Sequence, residues 1–458
     1  MRSAFSSPAA QDPTHTLFIA LAATCAGITL LLGFILLRRL IRSRYFRIRD
    51  ARARLIRANW EQVLREKGAN PTWLMKKLDC RIVEEIALDR MEVASKDEMH
   101  ELQAFFRSSG LLDRKIREVR TTTGWDRRKA LLCLGCMQLP EGVPALAEAL
   151  DDSSEEVVVD AIRALGLVGA PDAGERIVQR IVSRPVQCPS LPLQAALANC
   201  FRGRTSRLLK LVGAAGDGVR PVLARALAEV ATPKTTGELR DLADDPLPDV
   251  RASAARVLSA VRPPYVITAL TELAGDPEWF VRLRAMVALG DLHDHRAIPV
   301  LIRGLCDSNR LVRLRAASAL AKLEGEELAV LHLAIQTSDR YALQALVSEL
   351  ERSGRIGRLV NRLAGSQTAL AEAALVAALQ GGASRFLIDL MLNHRSARVR
   401  RKLMMILSRS QDPALLGYLE QVVCSPATES HGQSLRRLVE ALKARETAGQ
   451  TQDPVLAA

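Results

Sequence analysis

Aromatic residues are scarce in this sequence: 4 Trp, 4 Tyr and 9 Phe, or 4% of 458 residues. Too few fall within 125–445 for a base-stacking surface, which argues against nucleic acid as the partner. Strand formers are outnumbered by Ala, Leu and Arg, so an all-β reading is excluded. The 27 Gly and 20 Pro are too few for a collagenous or linker-like chain. The 8 Cys are scattered, apart from Cys133-Leu134-Gly135-Cys136 in an apolar stretch. That pattern gives no disulfide framework, and a lone CxxC with no spaced His pair gives no zinc site. A Gly-rich phosphate loop, an HExxH motif and a Ser/His/Asp order are all missing. No catalytic residue, cofactor or metal is expected, and the chain does not read as an enzyme.

What is present is a chain with 48% hydrophobic and 25% charged residues, too long for one compact core. Its formal charge of +13 is local in origin. Residues 38–57 hold nine Arg against one acid, Asp50, while the rest of the chain is nearly balanced. Ahead of this run, Leu17 to Leu37 is 21 residues without a charge. At ~1.5 Å per residue it reaches about 30 Å, the thickness of a hydrocarbon core. The charge follows the apolar stretch and no cleavage region intervenes, so the stretch reads as an uncleaved anchor. Flanking arginines stay on the cytoplasmic side, which puts residues 1–16 outside and everything after Arg38 inside. Arg38, Arg39, Arg42 and Arg44 would meet anionic headgroups. Ile41, Tyr45, Ile48, Leu55, Trp60 and Val63 recur at helical steps, predicting a basic helix over 38–67. This helix lies on the membrane, pairs with a second copy as a homodimer, or is solvated. Gly68-Ala69-Asn70-Pro71 ends it, and 68–124 reads as a helical cap with Trp73, Leu74 and Leu78 on one face.

From about residue 125 the chain repeats. Val219-Arg220, Val250-Arg251, Val281-Arg282 and Val312-Arg313 follow one another at 31 residues. Asp245, Asp276 and Asp307 share the step, as do Ala254, Ala285 and Ala316, and Leu258, Leu289 and Leu320. Asp152, Ala161 and Leu165 match the same columns three periods earlier. Within one unit, Val281, Ala285, Ala288 and Leu289 form one apolar helix face. Asp276-Pro277 opens that helix and Gly290 closes it, before Ile298, Leu301 and Leu305 begin the next stripe. Such helix pairs cannot bury their faces alone, and stacking supplies the core.

DDPLPDVRASAARVLSAV, GDPEWFVRLRAMVALGDL and CDSNRLVRLRAASALAKL resemble the short HEAT-like repeats of the phycobilin lyase type. With the uncharged stretch this gives an all-α protein: one N-terminal transmembrane helix over 17–37, then, as the resemblance implies, a right-handed α-solenoid of helix pairs over 125–445, with 446–458 as a tail. Beyond Gly325 the Asp and Val-Arg columns are lost, although amphipathic segments continue. The resemblance also implies an inter-repeat ladder from Asp245/Arg251, Asp276/Arg282 and Asp307/Arg313. His100-Glu101, outside the repeat, is the single His-Glu pair, so the iron-binding pattern of deoxyhypusine hydroxylase is not met.

Arg284 and Arg315 share the repeat step, as do Arg225 and Arg256, and all four lie off the apolar face. They form a basic stripe, either solvated or partner-binding. Trp279-Phe280 at a turn mouth suits either burial against the preceding unit or an interface hot spot. His293 and His295, with Asp291 and Asp294, read as a polar turn. The expected role is a membrane-anchored cytoplasmic scaffold at a bacterial inner membrane, accessory to envelope or polysaccharide assembly by analogy. It would bind a protein partner through Trp279, Arg284, Arg315, Arg225 and Arg256. Alternatives are an enzyme or chaperone-like factor of the phycobilin lyase type and a nucleic-acid binder.

Overall fold

The computed structural model of the chain describes the backbone of residues 13–65, 77–184, 190–235, 237, 239–365, 367–410, 413–423 and 432–450. Side chains are described for these residues except 13–20, 22, 23, 25, 65, 413, 414, 434 and 445–450. Every regular element among them is helical. The chain divides into two compact units, residues 1–180 with 186–188, and residues 181–185 with 189–458.

In the first unit, the expected span lies inside one long helix, Pro13–Ala58. Among the described residues no helix is long and apolar enough to cross a membrane. Seven side chains of the stretch lie outside the described residues, and the unbroken described run, 26–37, holds 12 uncharged residues before Arg38. A bilayer core needs about 20. Within that run Ile28, Leu30, Leu31, Phe34 and Leu37 are exposed, as are Ile41, Tyr45, Ile48 and Leu55 further on. The helix ends at Ala58, and past Asn59 the short helix Trp60–Arg65 turns Trp60 and Val63 into the interior. Trp60 packs 6.0 Å from Phe105, ring to ring, with the Arg90 guanidinium 5.2 Å from its ring centroid. Gly68 to Pro71, Trp73 and Leu74 lie outside the described residues.

Lys77–Met91 packs on the long helix and on Gly124–Cys136, which packs in turn on Glu155–Val168. Lys96–Ser108 begins at a capping box: the Ser95 hydroxyl accepts from the Glu98 amide, and the Glu98 carboxylate accepts from the Ser95 amide. Where Gly124–Cys136 meets Glu155–Val168, a Cβ on Gly135 would fall 2.6 Å from the Ala164 Cα. Only Gly allows that approach.

The second unit holds the repeat. Arg220–Val230, Pro248–Val261, Trp279–Leu292, Arg310–Lys322 and Arg340–Arg352 stack side by side in chain order, each on the one before. Val266–Leu273, Ile298–Leu305 and Glu327–Gln336 alternate with them and form a second layer. The repeat columns are the core: Val250, Ala254, Leu258, Val281, Ala285, Leu289, Val312, Ala316 and Leu320 are all buried. Ile298, Leu301 and Leu305 close it from the second layer. The fold of this unit is therefore the all-helical, solenoid-like repeat that the 31-residue step demands.

Gly290 has a different task from the expected one. The helix runs past it to Leu292 and is closed by His293 in the left-handed region (φ 54°). Gly290 instead lies buried at a helix crossing, where a Cβ would stand 2.7 Å from the Ala319 Cβ and 2.9 Å from its Cα. Past Arg352 the row changes partner, and Thr368–Gln380 packs on Glu327–Gln336 and Arg355–Arg362. This change follows the loss of the Asp and Val-Arg columns beyond Gly325.

Candidate functional site

The acid and the arginine of each repeat work in different directions. Arg251 Nε and Nη2 donate to Asp276 Oδ2 and Oδ1 of the next unit at 2.7 and 3.0 Å. Arg282 repeats the fork on Asp307 at 2.7 and 3.0 Å. The remaining nitrogen, Nη1, donates backwards to carbonyls of its own turn, Asp245 and Pro246 for Arg251, Asp276 and Pro277 for Arg282. Each Asp also caps its turn, for Oδ1 of Asp245, Asp276 and Asp307 accepts from the amides of Leu247, Glu278 and Asn309 at 2.8, 2.9 and 2.8 Å. One carboxylate thus starts its own helix and receives the arginine of the preceding unit.

The ends of this series follow from the sequence. Arg220 reaches Asp245 at 3.3 Å, and in the first unit Arg127 contacts Asp152, again 25 residues on. Arg313 keeps its carbonyl contacts, Asp307 at 2.7 Å and Ser308 at 3.1 Å. Its forward position is Ser338, and Asp339 instead caps the next helix through the Tyr341 amide. Arg400 likewise holds the His394 and Arg395 carbonyls. Electrostatics agree with the geometry. Hydrogen bonding to Asp276 and Asp307 raises the Arg251 and Arg282 pKa values. Burial pushes the Asp307 carboxyl up, but the Arg282 and Asn309 hydrogen bonds outweigh it and leave it below its ordinary value.

The basic stripe separates into two kinds of residue. Arg225 reaches Asp249 at 3.3 Å, while its buried Nε has no partner. Arg256, on the next helix, is half-buried, and Arg284 and Arg315 are exposed. Among the described residues these three have no acidic partner, and their helices are adjacent in the stack. Trp279 begins the middle helix, 41% exposed, with its ring edge-on to half-buried Phe280 at 6.0 Å. The structure therefore brings Trp279, Arg256, Arg284 and Arg315 onto the same row of helices and leaves them open. The Arg38, Arg39, Arg42 and Arg44 side chains are exposed on the long helix, with Arg42 over the Phe46 ring.

The other sequence candidates show no assembled chemistry. Cys133 and Cys136 are half-buried in a helix, and burial pushes the Cys133 thiol up to about 11. Among the described residues no group of three or more His, Cys, Asp or Glu is arranged to hold a metal. His295 pairs with Glu326 at 3.4 Å, and the Asp294 carboxylate is held by Arg296 at 2.6 Å.

Several ionic contacts escaped the sequence reading. Glu84, nearly buried, receives Arg114 at 2.6 Å and Lys115 at 2.8 Å. Arg128 donates to the buried Asp160 at 2.6 Å, and Arg355 to the buried Glu327 at 3.1 Å. These pairs bridge helices with no fixed sequence offset. The Arg-to-Asp link, by contrast, left a signal in the sequence as a constant 25-residue separation.

Two layers of helix pairs in a fixed register define an α-helical repeat protein. Residues 205–290 and 267–351 match the family model of HEAT repeats. The chain is a HEAT-like repeat protein, and that segment carries its repeats. No curated protein matches it. Similar solved structures include an engineered protein, 19% identical over 84% of this chain and 98% of that one, with a TM-score of 0.35. The complex of CpcE and CpcF of phycocyanin lyase from Nostoc is 15% identical over 55% of this chain and 94% of that one, with a TM-score of 0.22. Human deoxyhypusine hydroxylase is 19% identical over 67% and 98%, with a TM-score of 0.24.

Proposed function

We propose that this chain is a membrane-anchored, non-catalytic scaffold whose repeats hold a protein partner on the cytoplasmic side. The observation that carries the protein-binding part is the open Trp279, with Arg284 further along its helix and Arg315 on the next one, both unpaired, on helices stitched by the Arg–Asp series. Exposed Trp and Arg on a fixed frame is the makeup of interface hot spots, since a rigid ring and a planar fork lose little entropy on binding. Anchoring is supported by the uncharged stretch Leu17 to Leu37 within one helix, followed at once by the Arg run.

The test is capture of a partner from solubilised membranes by the wild-type chain and by an Arg284→Glu/Arg315→Glu variant. The variant keeps its helicity and melting temperature and loses most of the recovered partner. Equal recovery, with Trp279→Ala merely lowering the melting temperature, overturns the assignment.

A further inference from the structure

Arg256, Arg284 and Arg315 sit on three consecutive helices of the stack, Pro248–Val261, Trp279–Leu292 and Arg310–Lys322. Arg315 holds the position of Arg284 one repeat on. The equivalent of Arg256 in the middle helix is Val287, one turn beyond Arg284. The three guanidiniums therefore run across neighbouring helices with Arg284 at the centre. On the same helices Arg251 is matched by Asp276, Arg282 by Asp307 and Lys322 by Asp291, while Arg313 is held by the Asp307 and Ser308 carbonyls. Among the described residues, Arg256, Arg284 and Arg315 have no acid. Arg284 is exposed by area, yet partial desolvation by the surrounding helices lowers its pKa, and the charges of Arg256 and Arg315 lower it further. Like charges held together without a counter-charge destabilise one another. An anion placed on Arg284 would gain its own contacts and also relieve that repulsion.

We propose that this face binds a short acidic segment of a partner protein, its carboxylates on Arg256, Arg284 and Arg315 and an apolar side chain against Trp279. The inference rests on the protein-binding reading above and gives that partner its chemistry. Two features favour a short acidic peptide over a polyanion. Asp249 lies in the first turn of Pro248–Val261 and Glu278 caps the start of Trp279–Leu292, both exposed, and a long phosphate backbone running along these helices would meet their charge. The exposed Trp279 ring offers an apolar contact that a sugar-phosphate backbone does not use.

The test is fluorescence anisotropy with the full chain in neutral-detergent micelles. The probe is a labelled 12-residue peptide bearing four Glu and two Leu among Gly and Ser. Comparison probes are the same peptide with Gln for every Glu, a short DNA duplex, and vesicles containing phosphatidylglycerol. The Glu peptide is expected to bind at least 10-fold more tightly than the Gln peptide and more tightly than the duplex. An Arg284→Gln/Arg315→Gln variant weakens it at least 10-fold, with the melting temperature unchanged or raised, since repulsion is removed. Absent or equal binding of the Glu and Gln peptides overturns the inference, as does binding unaffected by the substitutions. Preference for duplex or for vesicles overturns it too, as does a lowered melting temperature in the variant. If a captured partner still depends on Arg284 and Arg315 while the Glu peptide does not bind, the acidic-segment inference fails and the protein-binding reading stands.

Discussion

Arg282 holds Asp307 of the following repeat with two parallel bonds, Nε to Oδ2 at 2.7 Å and Nη2 to Oδ1 at 3.0 Å, while Nη1 grips two carbonyls of its own turn. A single side chain therefore fixes a turn and joins two units. Its fork geometry is what a Lys cannot copy. Arg282→Lys and Arg282→Ala should each cost about 1–3 kcal/mol, because the donors to carboxylate and carbonyls are lost together. Arg303→Ala, at an exposed position, should stay within about 0.5 kcal/mol of wild type. Urea unfolding of the three variants checks the difference.

Asp307 gives this link a pH signature. Its folded pKa lies below the ordinary carboxyl value, so its contribution is complete above the unfolded value of about 4 and fades as pH falls through the lower folded value. The stability gap between wild type and Asp307→Asn should be constant from pH 5 to 7 and shrink below about pH 4. A gap that widens on acidification would contradict the assignment.

Gly290 and Ala285 test the packing between units. A methyl at Gly290 meets the Ala319 Cβ at 2.7 Å, and Ala285 is fully buried. Gly290→Ala and Ala285→Leu should each destabilise by about 1–3 kcal/mol, in the first case despite better helix propensity. Gly275→Ala, whose Cβ would meet one carbonyl at 3.5 Å, should be near neutral. Hydrogen exchange should show the loss reaching the neighbouring helices Pro248–Val261 and Arg310–Lys322.

The cysteines should sort by burial. Burial pushes Cys133 to about 11 and Cys200 to about 12, so at pH 8 both are thiols with little nucleophilic thiolate. Iodoacetamide should label exposed Cys306 in the native chain and the other two only after denaturant is added. Rapid native labelling of Cys133 would contradict its inert role.

The anchor proposal predicts that a reporter fused after Ala458 is active in the cytoplasm and that alkaline phosphatase there is silent. Neutral substitution of Arg38, Arg39, Arg42 and Arg44 should weaken that orientation. Phosphatase activity at the C-terminus would reverse it.

What was readable from the sequence was what depends on period. The Val, Ala and Leu columns of each repeat had to be core, because together they make the one apolar face of the helix, and they are buried. The arginine link was half legible: the Asp and Arg columns and a ladder between units were readable, but not that each Arg reaches the Asp 25 residues ahead. Gly290 misled because Gly is both a common helix stop and the residue that lets backbones touch, and only the position of Ala319 separates the two uses. Trp60 was placed on the basic helix because its spacing continued the stripe, and the break at Asn59 is a tertiary event. The Arg256–Arg284 proximity crosses two different columns, so no single-column comparison could expose it.

The most direct test of the interaction face is a photo-crosslinking residue placed at Trp279, with the same residue at exposed Thr268 on the other layer of helices as control. After irradiation of membranes, the chain labelled at 279 should form a protein adduct that the Arg284→Glu/Arg315→Glu background abolishes, and the chain labelled at 268 should not. Adducts of equal yield at both positions, or none at 279, would contradict the account.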